Sequence, residues 1–91
     1  MAIPTADAVF DLHGLTVLDA VTSAERFLRA QRKARPGARV RLITGRGRSG
    51  GSAPVRTRVR TLLRTLEQQG TVIRSFELED SEGSFLVRLA G

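Results

Sequence analysis

Apolar and polar positions recur with two different periods along the chain of 91 residues, and each change of period marks a predicted element. The short apolar run AVFDL at 8–12 predicts a first strand. Thr16, with Asp19 three positions later, is typical of a capped helix N-terminus. The helix that follows is expected to reach about Lys33 and to stop before the Pro-Gly pair at 36–37. Its apolar positions recur at helical spacing, and they are Val17, Ala20, Val21, Ala24, Phe27 and Leu28.

A second strand and a second helix are predicted in the middle of the chain. RVRLIT at 39–44 alternates, which places Val40 and Leu42 on one face of a strand. Pro54 is favoured in the first turn of a helix, and Gly70 is a natural residue for its C-terminal stop. The stripe expected to be buried in this helix consists of Val55, Val59, Leu62, Leu63 and Leu66.

The C-terminal part of the chain predicts a hairpin. TVIRSFEL at 71–78 and SFLVRL at 84–89 are both typical of strands, and the acidic turn EDSEG joins them. The resulting order is β-α-β-α-β-β. It predicts a single domain over residues 1–91, with its core at about 8–90. The expected fold is α/β, an α+β two-layer sandwich in which two helices pack on one face of a four-stranded mixed sheet.

Length and composition restrict the function. A chain this short supports one modest core and has no room for a second domain or an enclosed cofactor cavity. It contains no cysteine, which excludes disulfides and thiolate metal sites and is consistent with a cytoplasmic protein. No signal peptide and no run of about 18 apolar residues is present, so no membrane association is expected. Without a heptad pattern or an apolar surface stripe, a monomer is expected.

The distribution of charge predicts a polyanionic partner. The net charge is +6, and the stretch from Arg26 to Leu66 contains thirteen Lys or Arg residues and no Asp or Glu. A merely arginine-rich composition would explain the many cations but not the missing acids. No Trp or Tyr is available for stacking on bases, so phosphate contacts should supply the affinity. Three cations line a second face of the predicted second helix at i, i+4 and i+8, namely Arg56, Arg60 and Arg64.

The glycine-rich stretch ITGRGRSGG at 43–51 is a candidate phosphate-binding loop. It contains GxGxxG between a strand and a helix, as dinucleotide-binding folds do. However, the chain has too few strands for that fold and no acid about 20 residues further on. A nucleotide-binding P-loop would need lysine where Gly51 stands. Two interpretations remain, a simple flexible turn and a cradle for one phosphate of a polymer. The cradle would be formed by backbone and guanidinium groups of Gly45, Arg46, Gly47 and Arg48.

The stretch DLHG at 11–14 contains the chain's one histidine. A lone histidine is often structural, but strand ends are where α/β folds place their chemistry. In an extended strand, Asp11 and His13 would point to the same side, and histidine transfers protons near neutral pH. A metal site of several histidines is excluded, whereas a single Mg²⁺ on Asp11 and a substrate phosphate remains an alternative.

Three motifs in the same order resemble the Smr (small MutS-related) domain. They are FDLHGLTVLDA near the N-terminus, ITGRGRSGGSAPVR in the middle and GSFLVRL at the end. The match covers about Phe10 to Leu89, with Phe10 where leucine is usual. The resemblance implies a fold similar to the C-terminal domain of a bacterial translation initiation factor. It also implies an endonuclease that nicks DNA or cleaves RNA, since many Smr domains do so, some of them at stalled ribosomes.

Carried over to this sequence, the resemblance implies catalytic roles for Asp11 and His13. The loop motif falls on Thr44, Gly45, Arg46 and Gly47. We therefore expect a stand-alone Smr endonuclease that grips the phosphate backbone through arginines, with a slight preference for metal-free cleavage of RNA. One alternative is a non-catalytic module that binds DNA, RNA or the ribosome. Another is a protein-interaction adaptor, whose affinity would hardly depend on salt.

Overall fold

The computed structural model describes residues 5–45, 53–79 and 83–91. Its elements follow the predicted order β-α-β-α-β-β. They are β1 (Ala8–Asp11), α1 (Val17–Ala34), β2 (Arg39–Ile43), α2 (Ala53–Gln69), β3 (Ile73–Leu78) and β4 (Ser84–Leu89). The four strands form one sheet in the order β1-β2-β4-β3. Since β1 runs parallel to β2 while β4 runs antiparallel to both of its neighbours, the sheet is mixed, as expected.

One face of the sheet packs against both helices and forms the core. Strand alternation directs Val40 and Leu42 of β2 into this layer, where both are fully buried. The helices contribute the apolar stripes that their spacing predicts. The buried core residues of the two helices are Ala20, Ala24, Leu28, Val55, Val59, Leu63 and Leu66. The prediction of two helices on one face is therefore confirmed.

The other face of the sheet, here called the open face, carries the alternate residues of each strand. Polar side chains predominate on it. Two of the apolar exceptions are Val9, which is 52% exposed, and Leu86, which is only 7% exposed. Both helices pack on the core face. The open-face positions are Val9, Asp11, Arg39, Arg41, Ile43, Ser75, Glu77, Ser84, Leu86 and Arg88.

Local signals set the helix ends, while the strands are slightly shorter than predicted. The Thr16 side chain accepts a hydrogen bond of 3.2 Å from the Asp19 N–H, which caps α1. Gly70 has a φ of +72° and its N–H donates to the Leu66 carbonyl at 3.0 Å, which ends α2. The first two strands each stop one residue early, and β3 begins at Ile73 rather than at residue 71.

Candidate functional site

The two candidate motifs meet at one edge of the sheet. Because β1 and β2 are parallel, their carboxyl ends lie side by side, and Asp11 is in register with Ile43. The N–H of Leu12 continues this pairing by donating to the Ile43 carbonyl at 2.7 Å. The DLH segment and the start of the glycine-rich loop are therefore adjacent. We call this the carboxyl edge.

Asp11 and His13 are both exposed at the carboxyl edge. The Oδ1 atom of Asp11 accepts a hydrogen bond of 2.9 Å from the backbone N–H of His13, so the carboxylate holds the loop backbone. Strand alternation does not extend to His13, because β1 ends at Asp11. Beyond it the chain turns, with Leu15 N–H donating to the Leu12 carbonyl at 3.1 Å and Gly14 at a φ of +87°.

The start of the glycine-rich loop is tied to the opposite hairpin. The backbone N–H groups of Thr44 and Gly45 both donate to the Gly83 carbonyl, at 2.8 and 3.0 Å. Thr44 is only 1% exposed, and its hydroxyl makes long contacts of 3.4 and 3.5 Å with the carbonyls of Gly45 and Gly83. Gly45 adopts a φ of +87°, a conformation that glycine tolerates best. The predicted phosphate-binding residues Arg46, Gly47 and Arg48 lie outside the described residues.

The hairpin that holds this loop is braced by a partly buried ion pair. The Arg41 guanidinium donates from Nε and Nη2 to the two carboxylate oxygens of Glu79, at 2.7 and 2.9 Å. The Ser84 hydroxyl adds a bond of 2.6 Å to the same carboxylate, and the Glu79 N–H donates to the Ser84 carbonyl at 3.0 Å. The bonds from Arg41 lower the pKa of Glu79 below its ordinary value, although burial opposes this, and the pKa of Arg41 is raised.

A model of the Smr domain matches residues 10–90 of the chain. The chain belongs to the Smr domain family. Among solved structures, its fold is similar to the Smr domain of Thermus thermophilus MutS2, with a TM-score of 0.74 and 25% sequence identity. That match covers 92% of this chain and 99% of the other. A search of curated proteins found no match. Both the resemblance inferred from the three motifs and the predicted fold are confirmed.

The predicted arginine row of α2 leads away from the carboxyl edge of this Smr domain. Arg56 lies in the first turns of the helix, close in sequence to the glycine-rich loop, and is half-buried, as is Arg60. Arg64 is exposed and, at 1.5 Å per residue, lies about 12 Å further along the helix axis. Arg56 is thus the member of this row that is nearest in sequence to the glycine-rich loop.

Some of the basic charge is neutralised by acids, one of them four residues away on α1 and the other distant in sequence. Arg41 pairs with Glu79, and Arg29 pairs with Glu25 at 2.9 Å. The Glu79 carboxylate belongs to the acidic turn that the sequence places far from the basic stretch. Sequence reasoning therefore missed the role of this turn, since its partner in the fold is 38 residues away.

The described residues form neither a cluster that could hold a metal ion nor a helix that could cross a membrane. Within residues 5–45, 53–79 and 83–91, no group of three or more His, Cys, Asp or Glu side chains could hold a metal ion. A Mg²⁺ at Asp11 would therefore depend largely on substrate oxygens and water, with one or two carboxylates from the described residues, an arrangement common for this ion. Neither helix in the described part of this Smr domain is long and apolar enough to cross a membrane.

Proposed function

We propose that this Smr domain is a nucleic-acid endonuclease in which His13 transfers the proton at the scissile phosphate. The observation that supports this most directly is the position of His13. An exposed imidazole stands at the carboxyl edge, on a loop whose backbone is held by Asp11, beside the start of an arginine-containing glycine loop. Membership of the Smr family points to the same class of activity.

The neighbouring groups divide into positioning and phosphate-binding roles. Asp11 fixes the loop that carries the imidazole, because its carboxylate accepts the His13 N–H. Arg46 and Arg48 would grip the phosphate through charge-assisted hydrogen bonds and stabilise the charge that develops on its oxygens. The N–H of Gly45 already donates to Gly83, so backbone contacts to phosphate would come from later residues of the loop, including Gly47.

The reaction depends on the substrate. On RNA, His13 would accept the proton of a 2′-hydroxyl, whose oxygen attacks phosphorus while the bond to the 5′-oxygen breaks. The leaving oxygen then takes a proton from water or from the imidazolium, which gives a cyclic phosphate and a 5′-hydroxyl. DNA lacks this hydroxyl and requires an activated water, and Asp11 would be the residue to hold a Mg²⁺ that activates it. The single histidine and the small number of acids near the basic face slightly favour RNA.

The test combines two substrates with two conditions. Purified protein is incubated with end-labelled RNA and with supercoiled plasmid, each in Mg²⁺ and in EDTA, beside His13→Ala. Gln68→Ala, at the exposed C-terminal end of α2, is the control for activity lost during mutagenesis and purification. If wild type and Gln68→Ala cleave RNA in EDTA and His13→Ala does not, the result supports the metal-free mechanism. Plasmid nicking that requires Mg²⁺ and is lost in Asp11→Asn supports the metal-assisted one.

A non-catalytic binding module is the second candidate function. The exposed arginines support it without any requirement for His13. It predicts that fresh wild-type protein cuts neither substrate, yet binds both with a steep dependence on salt, and that His13→Ala binds equally well. Affinity that hardly changes with salt would instead favour a protein-interaction adaptor and would contradict both proposals.

A further inference from the structure

Two arginines face each other across the central strands of the open face. Arg39 of β2 and Arg88 of β4 are in register, and both side chains project to the face that the helices leave uncovered. Like charges directly opposite each other destabilise a sheet. Among the described residues, neither guanidinium forms an ion pair or a hydrogen bond, although the Arg39 backbone N–H donates to the Asp7 carboxylate at 3.0 Å. The neighbouring Arg41 is instead paired with Glu79. The two central strands therefore hold two guanidiniums without ion pairs opposite each other.

The arginine pair borders a depression of about 390 Å³ on the open face. Leu86, which is in register with Arg41 on β2 and Glu77 on β3, is only 7% exposed and provides an apolar floor. Glu77 also lines the depression, but its carboxylate is not within ion-pair distance of either arginine in the described structure. The lining residues are Arg39, Ser75, Phe76, Glu77, Leu86 and Arg88.

We propose that Arg39 and Arg88 form a second phosphate-binding site, which contacts the backbone of the nucleic acid at a distance from the cleaved phosphate. This inference rests on the proposed nucleic-acid binding. A phosphate between the two guanidiniums removes their repulsion, and each guanidinium presents the fork of donors that matches phosphate oxygens. The site lies on the sheet, so it is separate from the arginine row of α2.

The open face connects this pair with the carboxyl edge. Asp11 and Ile43 are at the edge end of the same face, and Arg39 lies four residues before Ile43 on β2. At about 3.4 Å per residue the separation is roughly 13 Å, which equals about four base-pair rises of a duplex. A dinucleotide is too short to contact both places, whereas a duplex of about 12 base pairs is long enough.

The test measures how binding depends on salt. Arg39→Gln/Arg88→Gln is compared with wild type on DNA and RNA duplexes of about 12 base pairs, over a series of salt concentrations. Arg26→Gln/Lys33→Gln removes the same charge from the exposed side of α1 and serves as the matched control. Each phosphate contact contributes about 0.9 to the slope of log affinity against log salt. Since one phosphate is shared by the two guanidiniums, we expect the sheet variant to lose about 0.9 from this slope and the control variant to lose much less.

The outcomes separate this inference from the proposed function. Equal losses in the two double variants would show an effect of net charge alone and would overturn the second site. If the sheet variant keeps the wild-type slope and far-UV circular dichroism confirms its fold, the second site is overturned as well. The proposed nucleic-acid binding is not affected by that result. On a dinucleotide, the sheet variant should bind as wild type does. Failure of the wild type to bind any nucleic acid would instead refute the proposed function.

Discussion

Glu79→Gln tests whether the ion pair behind the carboxyl edge stabilises the fold. The Glu79 carboxylate accepts two bonds from Arg41 and one from the Ser84 hydroxyl, and the paired side chains are only 18% and 13% exposed. Glutamine keeps one oxygen for Ser84 and for the Arg41 Nε. It places an N–H₂ group against the Arg41 Nη2 donor and removes the charge. The loss of a charge-assisted bond at such a site corresponds to about 2 kcal/mol of the free energy of unfolding.

Urea unfolding followed by circular dichroism measures this loss. For a domain of this size, about 2 kcal/mol corresponds to a fall of roughly 1–2 M in the urea midpoint. The same loss lowers Tm by roughly 8–16 °C. Glu77→Gln is the matched control, since Glu77 lies two residues before Glu79, near the end of β3, and is exposed. That variant should change the free energy of unfolding by no more than about 0.5 kcal/mol.

The pH dependence of the free energy of unfolding tests the contribution of the Glu79 charge independently. Because the folded-state pKa of Glu79 lies below the ordinary 4.5, the ionised pair stabilises the fold fully above that pH. The contribution disappears as the pH falls through the lowered pKa, where Glu79 becomes neutral like glutamine. The difference between wild type and Glu79→Gln should therefore shrink from pH 6 towards pH 3. A difference that stays constant, or a Glu79→Gln effect no larger than that of Glu77→Gln, would refute the reasoning.

Three smaller predictions can be measured in the same urea assay. Gly70→Ala should cost about 1–2 kcal/mol because its φ of +72° is unfavourable for a Cβ, whereas Gly91→Ala should be neutral. Leu63→Ala should cost about 2–5 kcal/mol since Leu63 is fully buried, and Leu18→Ala, at a 75% exposed position, less than about 0.5 kcal/mol. Thr16→Ala should cost about 1 kcal/mol through the lost N-cap, and no measurable loss would show that the cap is dispensable.

Those parts of the fold that depend on neighbouring residues were predictable from the sequence. The Thr16 cap, the alternation around Val40 and Leu42 and the Gly70 stop each involve groups within a few positions of one another. The strand order was not predicted. It requires β4 to lie between β2 and β3, and no local pattern specifies which strand of a hairpin pairs with an earlier one. The open face with its paired arginines follows from that order.

The candidate site, like the fold, could be predicted from the sequence only where it depends on neighbouring residues. The DLH segment and the glycine-rich loop were identified as candidates because each has unusual residues at a strand end. Their adjacency at one edge is a property of the parallel β1–β2 pair. The link from Thr44 to Gly83 joins residues 39 positions apart, and the bond from Arg41 to Glu79 spans 38. Such contacts have no signature in a single sequence, since acids in a turn are equally typical of a solvated hairpin.

The two halves of the candidate site therefore differ in what a substitution can reveal. Thr44 is buried and its N–H is bonded to the hairpin, so replacing it alters the sheet edge and any phosphate contact together. His13 is exposed and only its backbone N–H is bonded within the described chain, so removing its imidazole leaves the interactions of the edge in place. A loss of cleavage in His13→Ala can thus be assigned to chemistry. The same loss in a Thr44 variant cannot be separated from the fold, because the hairpin braced by Glu79 also fixes where the glycine-rich loop begins.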